Sequence, residues 1–69
     1  MTVKELLNVY FRGSFLIWYV DGSEFINLIE ESSSIENLTE DIAELKVLAF
    51  HLAHSFYGID IMVDKPSWV

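Results

Sequence analysis

Two short apolar runs separated by Asp21-Gly22 constrain this chain more than any other feature. Phe15-Leu16-Ile17-Trp18-Tyr19-Val20 is β-branched and aromatic, and it is short, which reads as a strand. Beyond Asp21-Gly22, Ser23 to Ile29 alternates polar and apolar residues. Asp-Gly between two such runs is the strongest short-range hairpin signal, because a type I′ turn needs φ > 0 at both central residues. A two-residue loop at Asp21-Gly22 sets Val20 opposite Ser23, Tyr19 opposite Glu24, Trp18 opposite Phe25, Ile17 opposite Ile26, Leu16 opposite Asn27 and Phe15 opposite Leu28. This register sorts the side chains. Phe15, Ile17, Ile26 and Leu28 form a core face, with Tyr19 and Glu24 at its end. Leu16, Trp18 and Phe25 fall on the opposite face beside Val20, Ser23 and Asn27.

Helices flank the hairpin. Thr2 is an N-cap with Glu5 three residues on, the spacing of a capping box. Val3, Leu6, Leu7 and Tyr10 share one helical face, and Arg12-Gly13 ends the element. Ser34 caps a second helix, whose apolar stripe is Ile35, Leu38, Ile42 and Leu45. Two continuations are open. A single helix could run over about 35–57. It would be about 33 Å long, while a domain of this size has a radius of gyration near ~11 Å. The preferred reading breaks at Lys46 and makes Val47 to Ala53 a strand, with Leu48, Phe50 and Leu52 facing the core and Val47, Ala49 and His51 facing out. Ile59-Asp60-Ile61-Met62-Val63 is the final strand, ended by Pro66. The expected fold is therefore a small single α+β domain over 1–69, helix-hairpin-helix-hairpin (αββαββ) with an antiparallel sheet. The alternative is αββαβ with the one long second helix.

Composition narrows the function. The chain carries 11 Asp+Glu against 4 Lys+Arg, a formal net charge of −7, with 52% hydrophobic residues and no cysteine. Direct nucleic-acid binding is disfavoured, since phosphates need clustered Lys and Arg. Disorder is disfavoured by the apolar content, and cysteine-held zinc and disulfides are excluded. His51 and His54 have no third ligand spaced to complete a metal site. Asp60 and Asp64 could assist a histidine base, yet no nucleophile or glycine-rich loop accompanies them. Gly13, Gly22 and Gly58 form no phosphate-binding pattern. The expectation is a protein that is not an enzyme and takes no cofactor. The longest apolar run, Phe15 to Val20, is far below the ~20 residues that span a bilayer, and the N-terminus lacks a signal-peptide pattern. A cytoplasmic location is expected, with no membrane partner.

No basic residue lies between Arg12 and Lys46, an interval holding eight acids. Glu36, Glu40 and Glu44 repeat every four residues, and like charges so spaced weaken a helix. Glu30, Glu31, Glu36, Glu40, Asp41 and Glu44 are therefore the acidic candidates for contact with a basic protein surface. A solubilising face is the other reading of the same residues. Two helices on one side of the sheet would leave Leu16, Trp18, Phe25 and Met62 uncovered on the other. That apolar set would meet a target or a second copy in a homodimer.

Thr2-Val3-Lys4-Glu5-Leu6-Leu7, the strand-Asp21-Gly22-strand unit, Ile42-Ala43-Glu44-Leu45-Lys46-Val47 and Ile59-Asp60-Ile61-Met62-Val63 together give a layout. It resembles the small accessory proteins encoded by phages and prophages of low-GC Gram-positive bacteria. Some small acidic phage proteins of this size inhibit host defence, anti-CRISPR proteins among them, and the group supplies no catalytic residues. The resemblance implies a non-enzymatic inhibitor, DNA-mimic in type, acting in the bacterial host cell on a nucleic-acid-handling or defence protein. The alternatives are a homo-oligomeric phage structural or assembly protein and an antitoxin-like partner.

Overall fold

The computed structural model describes residues 1–9, 13–32, 35–52 and 58–69. The expectations for Tyr10, Arg12, Ser34, Ala53, His54 and the last residues of the long-helix alternative lie outside these, as does the side chain of Glu31. In chain order the elements are α1 (Val3–Val9), β1 (Ser14–Asp21), β2 (Glu24–Ser32), a 3-10 turn (Ile35–Asn37), α2 (Glu40–Ala43), β3 (Val47–Leu52) and β4 (Gly58–Val63). They build a small α+β domain with two helices and a four-stranded sheet in the order β2-β1-β4-β3. The strand reading of Val47–Leu52 replaces the long-helix alternative. A 33 Å helix would also have exceeded the longest extent of the molecule, 29 Å.

The sheet is mixed, which corrects the antiparallel expectation. β1–β2 and β3–β4 are antiparallel, while β4 lies beside β1 in parallel. The two central strands alternate in burial with period 2, as both flanks are occupied and one face is packed. Phe15, Ile17 and Tyr19 of β1 join Ile59, Ile61 and Val63 of β4 under Val3, Leu6 and Leu7 of α1. Ile26, Leu28, Ile29, Leu38, Ile42, Leu45 and Val47 pack around this core.

The first hairpin turns one residue later than expected. Asp21 pairs with Glu24, so the loop is Gly22-Ser23. Gly22 has φ 65°, and among the described residues no non-glycine residue has a positive φ. That is the type II′ requirement, glycine at the first loop position, and it spares Asp21 the left-handed conformation that type I′ would impose. The register moves by two residues, to Val20 opposite Phe25 and Tyr19 opposite Ile26. A shift of two preserves the sorting of faces. Register shifts flanking Ile17 then bring Ile29, not Leu28, opposite Ile17 and Ser32 opposite Phe15.

The second helix also differs. Ile35–Asn37 forms only a 3-10 turn, Thr39 is extended (φ −69°, ψ 159°), and α2 is a single turn. Asn37 and Thr39 favour turn and cap conformations over helix interiors, and the four-residue acid spacing opposes a continuous helix. Glu40 and Asp41 occupy the first turn of α2, where carboxylates suit the helix dipole.

The Thr2 capping box forms. The Thr2 backbone N–H donates to Glu5 Oε1 at 2.8 Å, and the Glu5 N–H donates to Thr2 Oγ1 at 3.2 Å. The Thr2 backbone N–H, then the Thr2 side chain, hold the Glu5 carboxyl below the usual glutamate range. A depressed folded pKa stabilises the fold above the unfolded value of about 4.3, and that stabilisation is lost as pH falls through the folded value. Parent and Glu5→Gln proteins should therefore differ in urea midpoint at neutral pH and converge once the pH has fallen below the folded value of Glu5. A difference that persists or widens in acid would contradict the box. The same N-terminal segment closes the start of β3: Val47 N–H donates to Met1 O at 2.8 Å and Val3 N–H to Leu45 O at 3.0 Å, around a Thr2–Lys46 bridge.

Candidate functional site

Two helices of seven and four residues are about 10 and 6 Å long at 1.5 Å per residue. Four strands at about 4.8 Å spacing make a wider surface than these can cover, even on one face. On the other face β1 and β4 place Leu16 level with Asp60 and Trp18 level with Met62. β2 adds Asn27 opposite Trp18 and Phe25 opposite Val20. Across the sheet, Ala49 is paired with Met62 and His51 with Asp60.

Trp18 organises this face. Its indole Nε1–H donates to Asp60 Oδ1. Its ring meets Phe25 edge to face, with centroids 5.3 Å apart and planes at 83°, the geometry that the ring quadrupoles favour. Asp60 Oδ2 lies 3.6 Å from His51 Nε2. Asp60 is half-buried, Trp18 and Leu16 likewise, yet Phe25 is 74% exposed. Leu16, Trp18, Phe25, Asn27 and Asp60 together line a shallow depression of about 290 Å³. Its walls are two aromatic rings at right angles, and a carboxylate stands on its rim.

The apolar set expected from the sequence thus shares one face: Leu16, Trp18 and Met62 half-buried and Phe25 exposed. The acidic set is dispersed, which corrects the helical stripe. Glu30 is exposed on β2, and the side chain of Glu31 lies outside the described residues. Glu36 sits in the 3-10 turn, Glu40 and Asp41 open α2, and Glu44 caps its end. Glu40 and Glu44 do meet, with Lys4, Asn8, Ile35, Leu38 and Ala43, around a second depression of about 330 Å³ between α1 and α2.

β3 departs from expectation too. A register shift between Val47 and Ala49 turns Val47 inward, opposite Val63 and against the core. Leu48, Phe50 and Leu52 were expected inside, yet they are 51%, 51% and 57% exposed. Phe50 and Leu52 do pair with Ile61 and Ile59, on the helix side of the sheet, but at its edge and beyond the short helices. With His51 and Ile59 they line a further depression of about 240 Å³.

The residues that sequence reasoning did not assign to the site are Asp60, Asn27 and His51. An aspartate at the centre of Ile59-Asp60-Ile61 was the available signal, because alternation puts it on the uncovered face of an otherwise apolar strand. Among the described residues no three His, Cys, Asp or Glu side chains gather closely enough to hold a metal ion. No described helix is long and apolar enough to cross a membrane. No protein-family model matches the chain, and neither a curated protein nor a solved structure is significantly similar to it.

Proposed function

We propose that this chain is a non-enzymatic binding module that docks on a basic surface of another protein through the open face of its sheet. The observation that carries the reading is Phe25, 74% exposed against Trp18 and beside a carboxylate, on a face that neither described helix covers. Aromatic side chains left at a solvent boundary are typical anchors of interfaces. The net charge of −7 adds long-range attraction for a cationic partner and repels acidic competitors. The phage-type layout makes inhibition of a host nucleic-acid-handling or defence protein the role in which such a module fits. The dispersed acids steer in this reading, while the aromatic face holds.

A photo-crosslinking residue placed at Phe25 and, separately, at exposed Val9 of α1 tests it in the native host cell. A discrete adduct is expected from position 25 and not from position 9, and in a lysate of the same cells its yield should fall with added salt. Equal adducts from both positions, or none from position 25, would overturn the reading.

Self-association is a second reading, favoured by a separate observation on β3. Its Leu48, Phe50 and Leu52 are half exposed on an edge strand, Val47–Leu52, that carries no Asp, Glu, Lys or Arg. The opposite edge, β2, carries Glu24, Glu30 and Glu31. Charge is a common guard against edge pairing, and only β2 has it. Sedimentation from micromolar to millimolar concentration should show reversible association that Phe50→Lys abolishes. A parent that stays monomeric throughout would remove this reading and leave the first intact.

A further inference from the structure

We propose that the depression between Trp18, Phe25 and Asp60 is a seat for one arginine side chain of the protein partner, a proposal that rests on the reading of the sheet face above. Three observations define the occupant. First, the walls are aromatic and meet at 83°, so a planar cation laid in the corner contacts one ring face and the second ring together. Secondly, Asp60 places a carboxylate at a half-buried position beside Leu16, Trp18 and Phe25. The indole N–H donates to Oδ1 and His51 Nε2 lies 3.6 Å from Oδ2, which does not exhaust the roughly four lone-pair sites of a carboxylate. Thirdly, exposed Asn27 stands on the same rim, and its side-chain carbonyl is a second acceptor.

These parts match guanidinium better than ammonium. Guanidinium is planar, stacks on aromatic faces, and offers five N–H donors in a fixed fork that can serve a carboxylate and an amide oxygen together. It is also more weakly hydrated, which lowers the cost of leaving water for a corner made of rings. Lysine would present a compact, strongly hydrated charge to the same corner and use less of it. The acids elsewhere on the surface raise the local concentration of a cationic partner, while this corner distinguishes one side chain from another.

The test is an NMR titration of the uniformly ¹⁵N-labelled chain with three capped tripeptides, Gly-X-Gly, in which X is arginine, lysine or citrulline. Citrulline keeps the shape of arginine and lacks its charge. Saturable shifts are expected at the Trp18 indole N–H and the Asn27 side-chain NH₂ with the arginine peptide. The lysine and citrulline peptides should bind about fivefold more weakly or worse. Asp60→Asn should weaken arginine binding by a similar factor, and Phe25→Ala, at an exposed position that the fold does not need, should do so as well. Glu40→Gln with Glu44→Gln should leave it unchanged. Shifts spread evenly over the acidic surface, equal binding of the citrulline or lysine peptide, or an unaffected Asp60→Asn protein would each overturn the arginine seat. A position-25 adduct that persists beside such a failure would retain the protein-binding face and remove the arginine seat alone.

Discussion

Replacing Ile61 by alanine should remove about half of the protein's stability at 25 °C. Ile61 is fully buried on the central strand β4, within the cluster formed by Phe15, Ile17 and Leu6. Truncating such a side chain removes its transfer free energy and leaves a cavity, at a cost of about 2–5 kcal/mol. A chain of 69 residues has in total about 3–10 kcal/mol to lose, at 0.05–0.15 kcal/mol per residue. The α1 and α2 helices are too short to persist by themselves, so the loss should be cooperative. Urea unfolding followed by far-ultraviolet circular dichroism would read it as a midpoint reduced by half or more. Phe25→Ser is the matched control, since its ring is mostly in water and keeps only its edge contact with Trp18, and it should shift stability by about 1 kcal/mol at most. An Ile61→Ala protein within about 1 kcal/mol of the parent would contradict the placement of the core.

The second large effect is expected at Trp18, on binding more than on folding. Trp18→Ala removes the indole donor to Asp60, the edge-to-face contact with Phe25 and one wall of the depression. Central aromatic anchors of this kind cost about 2 kcal/mol or more on truncation, roughly thirtyfold in affinity. Trp18→Phe keeps a wall and loses the hydrogen bond to Asp60, which lies within the chain and is not a contact with the partner, so its effect on affinity should be smaller than that of Trp18→Ala. Titration calorimetry against the crosslinked partner, once purified, gives both numbers. Equal affinities for the parent and Trp18→Ala proteins would contradict the central role of this residue.

What the sequence shows of this fold depends on how local each signal is. The Trp18–Phe25 face was legible because strand periodicity is strict. The turn moved from Asp21-Gly22 to Gly22-Ser23, yet a two-residue change of register leaves Trp18 and Phe25 on the same face. The parallel pairing of β1 with β4 was not legible. Both hairpins carry local turn and alternation signals, but the joining of Phe15 to Ile59 and Ile17 to Ile61 is set by tertiary packing. With that pairing hidden, Asp60 could not be placed beside Trp18.

The acidic stripe failed for a related reason. Its geometry assumed one continuous helix, and the extended Thr39 interrupts it between Glu36 and Glu40. The exposure of Phe50 and Leu52 was hidden as well, because alternation assigns a side chain to a face and says nothing of how far a covering helix reaches. These departures shift the weight of the proposed function from a row of carboxylates to an aromatic corner with one carboxylate at its rim.

The most direct measurement is solvent paramagnetic relaxation enhancement of side-chain signals, with a soluble neutral nitroxide, in the free protein and in complex with its crosslinked partner. In the free protein Phe25 and Val20 should be strongly enhanced, Trp18 less so, and Phe15, Ile17 and Ile61 almost untouched. On binding, Phe25 and Trp18 should become shielded while Val9 on α1 keeps its enhancement. Shielding that appears on α1 and leaves Phe25 as open as before would contradict the account.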